Sequence, residues 1–147
     1  MALISGKRLY LDANCFIYLF EDHPIFGHSA RYLFSAIEQG KYKAFTSSLT
    51  LLEVMAGPIK CGKESLANEY TELITSFPHL TLCDMNQNVA CRAAYFRASG
   101  VKAPDAIHAA TAVEYKADHF ITEDSRLCKI DGIHGLSLSA IDRHSDK

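Results

Sequence analysis

Apolar and polar residues alternate along the chain in two rhythms. Short compact apolar runs mark strands, and longer stretches with apolar residues three and four apart mark helices. Residues 8–12 (RLYLD) predict a strand that ends in a carboxylate and runs into a helix from about Asn14 (CFIYLF). After Pro24, Ala30, Leu33, Phe34 and Ile37 fall at i, i+3, i+4 and i+7 of a second helix, and Gly40 is its stop. Residues 43–46 (KAFT) predict a second strand, and SSLTLLEVMA over 47–56 a third helix with serine caps, punctuated by Gly57 and Pro58. Leu66, Tyr70, Leu73, Ile74 and Phe77 share one face of a fourth helix. Residues 80–83 (LTLC) predict a third strand, and 87–98 a fifth helix ending at Gly100. Pro104, at a favoured early position, opens a sixth helix, PDAIHAATAVEYKA. A fourth strand follows at 119–122 (HFIT) and a fifth at 136–138.

Strands that alternate with helices predict an α/β fold with a central, mainly parallel sheet of about five strands, covered on both faces. In such sheets ligands bind beyond the carboxyl ends of the strands. No internal repeat or linker divides the chain, so residues 1–147 read as a single domain.

Composition narrows the picture. The 147 residues are 48% hydrophobic and 22% charged, which excludes a disordered or collagenous chain. Fifteen Lys and Arg against 17 Asp and Glu give a net charge of −2. No global basic field grips nucleic acid, so any nucleic-acid chemistry must be local. The five cysteines, 15, 61, 83, 91 and 128, are odd in number and contain no C-x-x-C. That favours free thiols in a reducing compartment. Lys7 and Arg8 break up any signal-peptide core, and no apolar run approaches the ~20 residues of a membrane helix. A cytoplasmic location is the expectation.

Four acids stand where an α/β sheet does chemistry. Asp12 follows the first strand and is equally suited to cap the next helix. Glu53 is the only charge between Lys43 and Lys60 in a helix apolar on nearly every side. Such a helix is expected to be mostly buried, and a buried carboxylate needs a partner or a metal; otherwise Glu53 lies on one exposed stripe. Asp105 opens the sixth helix, as a reactive group or as an acid favoured by the macrodipole. Asp124 follows the fourth strand, in a position where turn duty is common. Each acid has an ordinary explanation alone. Together they would crowd at one sheet edge, repel one another, and bind protons or cations. Oxygen ligands without Cys or His suit Mg²⁺ or Mn²⁺, one ion or two, for attack of water on a phosphodiester.

LDAN at 11–14, LTLLEV with Glu53, PDAIHAATA at 104–112 and ITED at 121–124 together resemble a PIN domain across almost the whole chain. The PDAIHAATA and ITED pair is the more specific part. The resemblance implies a three-layer PIN-like fold and an acidic quartet of Asp12, Glu53, Asp105 and Asp124, accompanied by Asn14 and Thr122. It implies direct metal binding by Asp12, Asp105 and Asp124, with Glu53 binding the metal or orienting its water. The size is similar to compact VapC-type toxins. That similarity implies metal-dependent endonucleolytic cleavage of RNA, an antitoxin partner and a homodimer. Hydrolysis of this kind leaves a 5′-phosphate and a 3′-hydroxyl. An apolar groove for the partner would draw on Phe16, Tyr18, Phe20 and Phe34, which otherwise serve as core. The alternative is a PIN-like scaffold that binds RNA or protein without turnover.

Other residues carry weaker signals. Asp84 is a further acid or a helix cap before MNQNVA, and His108, one turn beyond Asp105, is a catalytic imidazole or a hydrogen-bonded helix histidine. Glu123 is a solvated neighbour, while Arg126 and Lys129 are phosphate contacts or plain surface charge. GPIKCGKE at 57–64 nearly spells a P-loop, but Glu64 replaces the hydroxyl and the preceding segment is helical, so it reads as an inter-helix loop. Asn14 stands where a D-x-D phosphotransferase has its second Asp, leaving Asp12 as a lone candidate nucleophile. His23 and His28 are five apart, not i, i+4, and G-x-S-x-G is absent.

Overall fold

The computed structural model describes residues 7–145, with side chains described as far as residue 141. The chain runs β1 (Arg8–Leu11), α1 (Ala13–Phe20), α2 (Gly27–Glu38), β2 (Lys43–Ser47), α3 (Leu49–Lys60), α4 (Glu64–Ser76) and β3 (Leu80–Cys83). It continues α5 (Gln87–Ala98), α6 (Ala103–Glu114), β4 (His119–Ile121), α7 (Ser125–Cys128), β5 (Gly135–Leu136) and α8 (Leu138–Ser145). The strand order is β3-β2-β1-β4-β5, and every pairing among them is parallel. The α/β expectation of five strands is met.

β1 lies at the centre of the sheet, and its residues serve both faces, as the two-residue period of a strand requires. Leu9 and Leu11 enter the core formed with α1, α2, α4 and α8, through Phe16, Leu33, Ile37, Ile74 and Ile141. Tyr10 enters the opposite face with Phe45, Phe120 and Ala112 of α6. Its ring stacks on Phe120 with centroids 5.1 Å apart. Burying each large side chain of this kind stabilises the fold by ~1.5–3 kcal/mol. α6 reaches the sheet closely because its buried face is built from Ala106, Ala109, Ala110, Thr111 and Ala112. α5 then covers α6 through Val89 and Ala93. The outcome is helices, sheet and helices in three layers.

Three expectations change. α3 does not stop at Gly57 and Pro58 but continues to Lys60. A proline clashes mainly with the preceding residue's Cβ and N–H, and Gly57 has no Cβ. In the last turn, Pro58 removes only one ladder bond. The P-loop-like stretch is therefore partly helical, with its loop confined to 61–63. The serine capping also differs, since Ser47 Oγ accepts from Leu49 N at 3.0 Å whereas Ser48, the N-cap, makes no side-chain cap bond. Finally, β5 is Gly135–Leu136, and Leu138 instead begins α8, which packs on α2.

Candidate active site

The parallel pairing of β1 with β4 sets Leu11 beside Ile121, so the residues following each strand leave the sheet side by side. Asp12 comes next on one chain segment, and Thr122 and Asp124 on the other. Asp12 is buried and caps α1, with Oδ1 accepting from Cys15 N at 3.2 Å and from the Cys15 thiol at 3.4 Å. Its Oδ2 accepts from the Thr122 hydroxyl at 2.5 Å. The same Thr122 oxygen accepts from Asp124 N at 3.1 Å, which holds the start of α7 against Asp12. Asp124 caps α7 and takes both oxygens to Arg126, by Arg126 N at 2.9 Å and Arg126 Nη2 at 2.7 Å.

Asp105 projects from the first turn of α6, and Glu53 from α3. All four acids, with Asn14 and His108, line one cleft of about 360 Å³ at the carboxyl edge of the sheet. The convergence inferred from sequence is thus present in space. Burial raises the Asp12 carboxyl above the ordinary range, against the hydrogen bonds from Thr122 and Cys15. Asp105 is also raised, first by burial; the charges of Asp124 and Glu53 push the same way, against the charge of Arg126. The Arg126 hydrogen bonds hold Asp124 below the ordinary range.

Glu53 corrects the expectation of a mostly buried helix. α3 buries only Thr50 and Val54, while Leu52 is 63% exposed. Glu53 is itself partly exposed, yet it has a partner: its Oε1 lies 2.6 Å from His108 Nε2. His108 is 3% exposed, and its Nδ1 lies 2.5 Å from the Tyr10 hydroxyl. Of the two readings of His108, the hydrogen-bonded helix histidine is the one the contacts satisfy. Tyr10 and Cys15 escaped sequence reasoning because their partners lie on other elements or sit in an apolar run.

The remaining candidates fall outside the cleft. Asp84 is exposed, and the cap before α5 is Asn86, whose Oδ1 accepts from Val89 N at 2.9 Å. Glu123 accepts from Ser139 N at 3.4 Å, Lys129 is exposed at the end of α7, and His23 Nδ1 accepts from the backbone of Ile25 and Phe26. All five cysteines are free. On the far side of α1, Phe16, Phe20 and Phe34 line an apolar cavity of about 180 Å³ with Leu73, Ile74 and Phe77. Tyr18 does not join them, packing instead on His23 and Phe26. Among the described residues no helix is long and apolar enough to cross a membrane.

Carboxylate oxygens with an amide beside them are the donor set of a hard divalent cation. Among the described residues, however, no three His, Cys, Asp or Glu side chains are arranged to hold a metal ion as they stand. Asp12, Asp124 and Glu53 each have oxygens engaged by protein donors. The donors fit by kind, and Arg126 competes with a cation for the Asp124 carboxylate.

The fold and site define a parallel α/β domain with a carboxylate-lined cleft at the carboxyl ends of its central strands. The chain belongs to the PIN domain family, whose model matches residues 9–133. No match is found among curated proteins. Among solved structures the chain is similar to one of VapBC2 from Rickettsia felis bound to a promoter DNA fragment, at 17% identity and TM-score 0.73, covering 88% of this chain and 98% of that one. It is similar to DNA-bound VapBC from Salmonella typhimurium at 21% identity and TM-score 0.71, covering 90% and 98%. It is also similar to VapC20 of Mycobacterium tuberculosis, described as a sarcin-ricin loop cleaving toxin, at 12% identity and TM-score 0.66, covering 81% and 92%.

Proposed function

We propose that this chain is a metal-dependent endoribonuclease of VapC type, the toxin of a toxin–antitoxin pair. The observation that carries the reading is the meeting of Asp12, Glu53, Asp105 and Asp124, drawn from four separate segments, in one cleft. Membership of the PIN family and the likeness to VapBC chains support it. Asp12, Asp105 and Asp124 would hold Mg²⁺ or Mn²⁺, with Glu53 as a further ligand or as the group that orients the attacking water. When bound, the cation supplies positive charge against the phosphate oxygens and lowers the pKa of a water. The chain's own residues do the rest. Thr122 and Cys15 fix the Asp12 carboxylate, Thr122 ties Asp124 to it, and Asn14 offers an exposed amide at the cleft mouth. A polyanion approaches such a site only once the carboxylate charge is offset, which accords with a chain of net charge −2.

The apolar cavity beside α1 is a fitting seat for an antitoxin segment, and the exposed Leu52 and Ile59 on α3 support a homodimer. A cytoplasmic location accords with five free thiols.

The test is cleavage of a pool of transfer, ribosomal and synthetic RNAs with Mg²⁺, with Mn²⁺ and with EDTA, beside the Asp12→Asn variant. The expected result is metal-dependent cleavage, lost in the variant, that leaves 5′-phosphate ends. RNA binding without metal-dependent products from any pool member would instead make the protein a non-catalytic scaffold.

A further inference from the structure

His108 is the second-turn residue of α6, directed at both the core and the cleft. Its ring stands edge-on to Tyr10, with centroids 5.8 Å apart, and 3% of the residue is exposed. Tyr10 is fully buried, and its hydroxyl oxygen accepts from Ser47 N at 3.1 Å. That leaves the phenol proton for an acceptor, and His108 Nδ1 stands 2.5 Å away. With Nδ1 accepting, the ring proton belongs on Nε2, and Glu53 Oε1 accepts it at 2.6 Å. The polarity of the whole chain follows: Ser47 N–H to Tyr10, Tyr10 O–H to His108, His108 Nε2–H to Glu53.

We propose that His108 is a positioning residue, locked by Tyr10 as the Nε2–H tautomer, that holds the Glu53 carboxylate by Oε1 in the orientation the acidic cleft needs for a divalent cation. The inference deepens the proposed metal-dependent reading and rests on it. Glu53 is a long, partly exposed side chain with several rotatable bonds, and ordering it at the moment of metal binding costs rotamer entropy. The buried donor removes that freedom beforehand. It also engages one carboxylate oxygen, so Glu53 brings a single oxygen to the ion rather than two. A group that orients a metal-binding carboxylate typically changes metal affinity by ~10–100-fold when removed.

The test uses isosteres that separate the two ring nitrogens. The amide nitrogen of His108→Gln falls where Nε2 was and still donates to Glu53. His108→Asn reaches only the Nδ1 position, and His108→Ala reaches neither. Mn²⁺ affinity is measured by calorimetry on the full chain, with cleavage alongside and thermal unfolding to confirm the fold. The expected result is affinity lowered about 10–100-fold in the Ala and Asn variants and restored to near the native level in His108→Gln. Equal loss in all three folded variants, or native affinity in all three, overturns the inference. A second readout needs no metal: nitrogen-15 chemical shifts of His108 should report the Nε2–H tautomer in the native protein and a mixture in Tyr10→Phe. An Nδ1–H tautomer in the native protein also overturns it. Failure of the underlying reading is distinguishable, because native protein would then bind no Mn²⁺ and Asp12→Asn would change nothing.

Discussion

The Thr122 hydroxyl lies 2.5 Å from Asp12 Oδ2 and joins two residues 110 positions apart. The same oxygen receives the N–H of Asp124, so one buried threonine fixes two of the four acids. Thr122→Val keeps the shape and removes both bonds. Because the Asp12 carboxylate and the Asp124 N–H then lack a partner, the variant should lose ~1–3 kcal/mol of stability. Urea unfolding measures that loss, and RNA cleavage should fall with it.

Asp12→Asn should be more stable than the native protein near neutrality, while losing the cleavage proposed for the native chain. The buried carboxyl has a folded-state pKa above its ordinary 3.8. It therefore binds its proton more tightly folded than unfolded. The stability this gives is fully present below pH 3.8 and is lost as pH rises through the raised folded value. An amide has no such loss. The advantage of the variant should be absent in acid, grow with pH, and then level off. Unfolding midpoints of both proteins across acid to neutral pH, in metal-free buffer, measure the difference; a constant difference would contradict it.

Arg126 occupies both oxygens of Asp124 from an exposed position on α7. In Arg126→Ala, the Asp124 carboxyl should rise toward the ordinary range, since the hydrogen bonding of the Arg126 side chain is the largest cause of its depression. With the guanidinium gone and only the backbone N–H of residue 126 still bonded to Oδ1, Asp124 should also take up Mn²⁺ at a lower concentration. Calorimetric titration of both proteins reads the shift.

Gly135 in β5 passes so close to α7 that an added Cβ would stand 2.6 Å from Cys128 Cα. Backbone cannot yield as a flexible side chain does. Gly135→Ala should cost ~1–3 kcal/mol, as overpacking does. It should also weaken cleavage, because α7 carries Asp124 at its cap.

What the sequence disclosed depended on whether a signal was local. Asp12, Asp105 and Asp124 were legible because each sits at a strand end or helix start, where the alternation of elements already places it at the sheet edge. Glu53 was legible as a lone charge, but the burial of its helix was overestimated, since an apolar surface exposed as at Leu52 reads like core. Pro58 misled because its effect depends on the glycine before it and on its place in the last turn. The Tyr10–His108 contact spans 98 positions and has no spacing to reveal it. The short helix α7 lacks enough turns for a periodic pattern, and α8 was hidden because its first residue, Leu138, reads as the end of the fifth strand.

The central place of β1 in a wholly parallel sheet also governs when the cleft can exist. Asp12 is among the earliest parts of the described chain to be synthesised, but the strand before it waits for β4, after which Thr122 and Asp124 follow. At ordinary ribosomal rates of ~5–20 residues per second, that interval is on the order of 5–20 s. No truncated nascent chain ending before residue 119 can assemble the site. On the proposed function, this topology would leave the chain inert toward its own messenger until most of it has been translated.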